Sequence, residues 1–156
     1  MPRFSAGLLP YRVDSGEVLV FVAHPGGPFW AKKDEACWSV VKGEYDPATE
    51  DPQVAAAREF TEEIGVPAPA GERIDLGEVR QSSSKIVRAF AVEAPASLTY
   101  VESNLIEIDW PPRSGRTMSI PEVDRAEWMT VDQARPRLIV GQRELLDRLC
   151  AAIPPA

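Results

Sequence analysis

The sequence predicts an α+β fold, in which several strands alternate with two or three helices. Three observations lead there. Pro52 to Ile64 is bounded by helix start and stop signals, and Glu17 to Ala23 (EVLVFVA) is apolar and β-branched, as a strand should be. Gly141 to Ala152 has the spacing of an amphipathic closing helix that buries Leu145, Leu146 and Leu149. No internal repeat or low-complexity tract interrupts residues 1–156, so one domain is expected, long enough for a real hydrophobic core.

In chain order, Phe4 to Tyr11 reads as a first strand. Gly7 and Pro10 mark it as irregular or as a sheet edge. The turn Asp14-Ser15-Gly16 introduces the second strand, Glu17 to Ala23. A loop follows from His24 to Pro28. His24 is the only histidine and reads as a strand-end residue rather than a ligand. Phe29-Trp30-Ala31-Lys32-Lys33 then mixes aromatics with cations. That mixture suits stacking on a base and neutralising phosphate, and equally suits an exposed loop. Trp38 to Val41 is a short strand that delivers Lys42 and Gly43 to the helix.

Beyond that helix, Ile74 to Gln81 and Lys85 to Glu93 read as paired strands joined by Ser82-Ser83-Ser84. Ile106 to Trp110 is another strand, ended by Pro111-Pro112. Pro111 to Thr117 forms a cationic loop in which Arg113 and Arg116 are placed to clamp a phosphate, since guanidinium matches phosphate oxygens in two-pronged geometry. The acids Glu122 and Asp124 lie on the way to Trp128, and a helical segment begins at Val131.

The stretch from Gly43 to Val66 organises the rest. Asp51 is a good N-cap, Pro52 suits the first helical position, and Gly65 is a C-terminal stop. At about 100° per residue, Glu59, Glu62 and Glu63 fall within an arc of roughly 100°. Val54, Ala57, Phe60, Thr61 and Ile64 fall opposite, as a core-facing stripe. Three carboxylates on one face repel one another unless a cation is bound there. Arg58 stands beside Glu59 and four residues before Glu62, close enough to orient a carboxylate. Glu50 reaches Arg58 only if the intervening loop folds back over the helix.

These residues resemble the Nudix box, G-x5-E-x7-R-E-U-x-E-E-x-G-U, where U is a bulky aliphatic residue. Glu50, Arg58-Glu59, Glu62-Glu63, Gly65 and Val66 match, and Phe60 stands at the first U. The box is a variant, with six residues rather than five between Gly43 and Glu50. The extra residue falls in the turn Tyr45-Asp46-Pro47, where an insertion leaves the helix register intact. It puts in question whether Gly43 presents its carbonyl to a metal as the family's glycine does. Trp38 to Gly43 is also similar to the family's W-x-x-P-K-G approach, with Val41 at the proline position.

The resemblance implies a Nudix-type α/β/α sandwich with a mixed β-sheet. It implies Mg²⁺, or Mn²⁺ in its place, held by Glu59 and Glu63 directly, by Glu62 directly or through water, and by Gly43. Glu59 is then the first choice for the base that activates water, with Glu122 second, because the family often places an acid six residues before such a tryptophan. Glu102, Glu107 and Asp124 rival Glu122 for that place. Arg58 orients, and Lys42, Lys33, Arg113 and Arg116 bind substrate phosphate.

The function implied is a pyrophosphohydrolase that cleaves a phosphoanhydride in a nucleoside diphosphate linked to another moiety, of the nucleoside triphosphate or diadenosine polyphosphate class. A noncatalytic binder of nucleotides or sugar nucleotides is the alternative. An isomerase of isoprenoid diphosphates on the same fold wants a cysteine facing the substrate, and Cys37 stands in no evident setting for that.

Charge and composition bound these readings. A formal charge of -7 argues against a nonspecific nucleic-acid partner, whose backbone is held by many Lys and Arg contacts. It allows a small phosphate substrate bridged by a divalent cation. No apolar run is long enough to span a membrane, and the N-terminus lacks the regions of a signal peptide. Two distant cysteines, Cys37 and Cys150, read as reduced thiols, and a cytoplasmic location is expected.

Overall fold

A six-stranded mixed sheet forms the middle layer, and helices cover both of its faces. The structure is a computed structural model and describes residues 2–153; the outermost residues of the expected domain, 1 and 154–156, lie outside it. The strands are β1 (Arg3–Asp14), β2 (Glu17–Pro25), β3 (Val41–Glu44), β4 (Ile74–Ser82), β5 (Lys85–Glu93), β6 (Leu105–Asp109), β7 (Thr117–Pro121) and β8 (Val123–Thr130). The helices are α1 (Pro52–Ile64), α2 (Val131–Arg137) and α3 (Glu144–Ala152), with one 3₁₀ turn at Val140–Gln142. The sheet runs β4-β5-β1-β2-β8, with β3 also paired to β1, while β6 and β7 form a hairpin of their own. Among the named strands of the described residues, β1 and β5 pair in parallel and the rest pair antiparallel.

Of the two sequence readings of the first strand, irregular or edge, the edge is corrected. β1 lies at the centre of the sheet rather than at an edge, with β5 along one side and β3 then β2 along the other. Pro10 is tolerated there because Ser5–Leu8 pair with β3 and Tyr11–Asp14 pair with β2, so Pro10 falls in the gap between partners. The Tyr11 carbonyl accepts from the Ala94 N–H on the β5 side, so Pro10, one residue away in the pleat, turns its missing N–H toward that gap.

Alternation along the strands divides the core in two. Leu8, Phe21, Val41 and Phe90 face α1, where they meet Ala55, Ala56, Phe60 and Ile64. Leu9, Val20, Val22 and Trp38 face the other way, toward Ala134, Leu145, Leu146 and Leu149 of α2 and α3. Each layer removes several large side chains from water, at about 1.5–3 kcal/mol apiece. This sandwich fixes α1 against β1 and β3.

Three further differences have local causes. Trp38 and Ser39 make single bridges, to Leu138 and Ala23, and the regular strand begins only at Val41. The closing helix starts at Glu144, after a 3₁₀ turn in which the buried Gln142 accepts from the Val40 N–H at 2.9 Å. The segment after the cationic loop forms strands β7 and β8, leaving Glu122 alone between them. Among the described residues, no helix is long and apolar enough to cross a membrane.

Candidate active site

Local chemistry sets α1 where the sequence puts it. The Asp51 carboxylate accepts from the N–H groups of Gln53 and Val54 at 2.9 and 3.3 Å, capping the helix start. Gly65, in the left-handed region at φ 86°, ends it by donating to the Thr61 carbonyl. The facing of the helix is a correction. Its buried residues are Ala55, Ala56, Glu59, Phe60, Glu63 and Ile64, while Val54 is 60% exposed and Thr61 is exposed. The core-facing arc is therefore rotated toward the carboxylates, and Glu59 and Glu63 sit at its rim under the sheet instead of opposite it. Glu62 stays on the open side.

Glu59 and Glu63 are only 9% and 5% exposed. Arg58 holds the first of them, donating from Nη1 to Glu59 Oε1 at 2.8 Å. The same guanidinium grips Glu50 with two prongs, Nε to Oε2 at 3.0 Å and Nη2 to Oε1 at 2.9 Å, so the loop does fold back over the helix. Glu62 lies 3.5 Å from the same Nη1.

The extra residue ahead of Glu50 is absorbed in a turn. The Asp46 carbonyl accepts from the N–H groups of Thr49 and Glu50, and its side chain accepts from Ala48. Gly43 remains against the helix. A Cβ there would lie 1.9 Å from Glu59 Oε2, so only glycine leaves room for that carboxylate beside the β3 backbone.

Glu63 is the most strained electrostatically. Burial, then repulsion from Glu122 and Glu59, pushes its carboxyl up to about 9. Its Oε2 is buried without a hydrogen-bond partner. Burial likewise raises Glu59, with Glu62 and Glu122 adding to the shift and Arg58 opposing it. Lys42 is pulled down by burial, against the field of Glu63. Glu122 is oriented by Asn104, whose Nδ2 donates to its Oε1 at 3.0 Å and whose backbone N–H holds the Glu62 carbonyl at 2.9 Å. Its rivals go elsewhere. Asp124 accepts from His24 Nδ1 at 2.9 Å, Glu107 is exposed on the β6–β7 hairpin, and Glu102 is exposed beside Gly65.

A cavity of about 360 Å³ opens in front of these acids, with Glu63, Glu122, Lys42 and Lys85 on its wall. A second, of about 200 Å³, adjoins it and is lined by Arg3, Lys42, Gly43, Lys85 and Glu122. Arg3 and Lys85 were missed in the sequence. They meet because β1 and β5 pair in parallel with Arg3 opposite Lys85, a register no local pattern announces. Asn104, between two acids it touches only in three dimensions, was missed for the same reason. Arg113 and Arg116 are exposed at the tip of the β6–β7 hairpin and line none of the described cavities. The five residues of β7 separate Arg116 from Glu122 by about 20 Å along the strand, and Arg113 lies in the loop before it.

Lys33 lies with Nζ 3.8 Å from the Phe29 ring centre, and its carbonyl accepts from the buried His24 Nε2 at 2.6 Å. His24 thus pins a loop to the sheet. Cys37 is buried on the wall of the larger cavity, where desolvation pushes its thiol up, away from thiolate.

Among the described residues, no three ligand-type side chains converge closely enough to coordinate one ion as they stand. The donor set nonetheless fits a hard divalent cation. It offers carboxylate oxygens, one of them on Glu63 buried and unpartnered, and Gly43 leaves the room that the Glu59 carboxylate occupies.

A mixed sheet between helical layers sets Glu63 of α1 on the wall of a cleft that also holds Glu122, Lys42 and Lys85. The model of the NUDIX domain matches residues 1–149, and the chain belongs to that family. No curated protein matches the sequence. Among solved structures, a Caenorhabditis elegans Ap4A hydrolase in a binary complex is similar with a TM-score of 0.64 at 18% identity, covering 96% of each chain. A mutT/nudix family protein from Listeria innocua gives 0.60 at 16% identity, covering 97% of this chain and 94% of its own. The NUDIX domain of Shewanella oneidensis NrtR, complexed with ADP ribose, gives 0.59 at 11%, covering 97% and 88%. Such low identities speak for the fold alone.

Proposed function

We propose that the protein is a Mg²⁺-dependent pyrophosphohydrolase, with Mn²⁺ able to substitute, acting on a nucleoside diphosphate linked to another moiety. Nucleoside triphosphates and diadenosine polyphosphates are the favoured substrates. The observation that carries this reading is the unpartnered, buried Glu63 Oε2 beside a cleft that also presents Glu122, Lys42 and Lys85. Burial and the nearby Glu122 and Glu59 make this carboxyl costly to ionise, so a cation at that place offsets the cost.

Glu59, Glu62 and Glu63, with the Gly43 backbone, would hold the ion. When bound, a divalent cation neutralises phosphate charge and makes water a better nucleophile at neutral pH. The side chains do the rest. Arg58 keeps the Glu59 carboxylate in place against Gly43 through its own grip on Glu50. Glu59 takes the proton of the attacking water, with Glu122 the second choice. Lys42, Lys85 and Arg3 receive the phosphate oxygens, which have little reason to enter a protein of charge -7 without them.

The test is a panel of phosphoanhydrides with Mg²⁺ in ¹⁸O-labelled water. Label in a phosphate-containing product identifies both the substrate and the phosphorus attacked. Tight nucleotide binding with no product would instead favour the noncatalytic reading.

A further inference from the structure

A third cavity, of about 310 Å³, lies beside the acids and is built differently from the other two. One wall carries Phe29 and Trp30, and the other carries Ile106, Ile108 and Ile120 from the β6–β7 hairpin. Glu122 stands on its edge. Glu122 also lines both of the other cavities, so all three share one carboxylate on their walls.

The two walls are held together deliberately. At Gly26 a Cβ would lie 2.0 Å from the Pro121 carbonyl oxygen, and at Gly27, with φ at 95°, it would lie 2.6 Å from Ile120 Cδ1. A larger residue at Gly26 would push the loop off the hairpin, and one at Gly27 would displace the end of the Ile120 side chain and strain a left-handed backbone. From the other end, His24 pins the Lys33 carbonyl to the sheet. Between these anchors, Phe29 and Trp30 meet edge to face at 4.7 Å, and Phe29 remains 52% exposed. Lys33 Nζ lies 3.8 Å from the Phe29 ring centre, which adds a cation to the aromatic platform. On the hairpin, Ile106 is left 38% exposed, although Ile120 is covered. Thus an apolar slot is preformed next to a phosphate site, at the lower end of the volume range of small-molecule sites.

Resting on the hydrolase reading above, we propose that this slot holds the nucleobase of the substrate by stacking and apolar enclosure, without reading the edges of the base. A flat π-system suits the slot better than a flexible chain, because one wall is an aromatic pair carrying a cation. The absence of edge reading follows from the lining. Apart from Glu122 and the Trp30 indole N–H, its side chains offer no hydrogen-bonding group, so the wall makes little distinction between adenine, guanine, cytosine and uracil. The protein is therefore selective for a nucleoside-bearing diphosphate and tolerant of which nucleoside it is.

The test is equilibrium binding by calorimetry in Mg²⁺, comparing the 5′-diphosphates of adenosine, guanosine, cytidine and uridine with inorganic pyrophosphate and geranyl diphosphate. Phe29→Ala probes one wall and Ile108→Asp the other, at exposed or half-buried positions outside the carboxylate cluster. The four nucleotides should bind the unaltered protein within about tenfold of one another. Each substitution should weaken all four by about 5- to 100-fold, the range of a lost base–aromatic contact, and change pyrophosphate affinity by less than about twofold.

Four results would overturn the assignment. These are equal losses for pyrophosphate and nucleotides, a strong preference for one base, tighter binding of geranyl diphosphate than of the nucleotides, or no nucleotide binding at all. Turnover is read separately. Nucleotide binding that depends on Phe29 without any hydrolysis would remove the hydrolase reading and leave the slot. Hydrolysis unaffected by both substitutions would remove the slot and leave the hydrolase.

Discussion

Replacing Glu63 with glutamine in metal-free protein should make the protein more stable while destroying its activity. The carboxyl is pushed up to about 9 from an ordinary value of 4.5, chiefly by burial and then by Glu122 and Glu59. The folded state therefore holds that proton more tightly than the unfolded chain does. Below about pH 4.5 both states are protonated and the site costs nothing. As pH rises toward 9 the unfolded chain alone gives up its proton, so stability falls across that window.

Between pH 4.5 and 7.5, three pH units at about 1.4 kcal/mol each set a ceiling of about 4 kcal/mol. Relaxation, water entry and the neighbouring Lys42 reduce this to about 1–2 kcal/mol. Glutamine keeps the shape and does not titrate. Glu63→Gln in a chelator should then melt about 2–8 °C above the unaltered protein at pH 7.5, with the gap closing near pH 4.5. Adding Mg²⁺ should reverse the order, because the unaltered protein gains binding energy that the variant lacks. Scanning calorimetry across pH, with and without metal, measures all of this. A melting gap that is absent at pH 7.5, or one that does not change with pH, would refute the reasoning.

Two other substitutions probe how the acids are held. Gly43→Ala introduces a Cβ 1.9 Å from Glu59 Oε2, and the carboxylate must move. Mg²⁺ affinity read by calorimetry should weaken by about 10- to 100-fold while the far-ultraviolet circular dichroism stays unchanged. Arg58→Lys keeps the charge and loses the two-pronged hold on Glu50, so kcat should fall about tenfold with little change in KM. Combining it with Glu50→Gln should add little further loss, which a double-mutant cycle on kcat checks.

Helix α1 was legible in the chain to the residue, because its signals are local. Asp51, Pro52 and Gly65 act on backbone groups within one turn of themselves. Which side of α1 is buried was less legible. Apolar spacing put Val54 and Thr61 inward, yet β1 and β3 press on the arc that carries Glu59 and Glu63. A periodicity argument treats carboxylates as solvent-facing and has no way to foresee a cleft that draws them in. Similarly, Pro10 suggested an edge strand, since a central strand normally needs every N–H. The change of partner from β3 to β2 is a property of the sheet.

From the sequence by itself came the α+β class, the bounds of α1, the resemblance carried by its acids, and the pair of strands around Ser82–Ser84. All depend on residues close together in the chain, where spacing and turn chemistry speak directly. The tertiary structure decided which acids are buried, that Arg3 and Lys85 share a cavity, that Asn104 orients Glu122, and that an aromatic loop faces the hairpin isoleucines. Those relations arise from strand order and parallel register, and these are set by how whole faces pack rather than by any one segment's own preference.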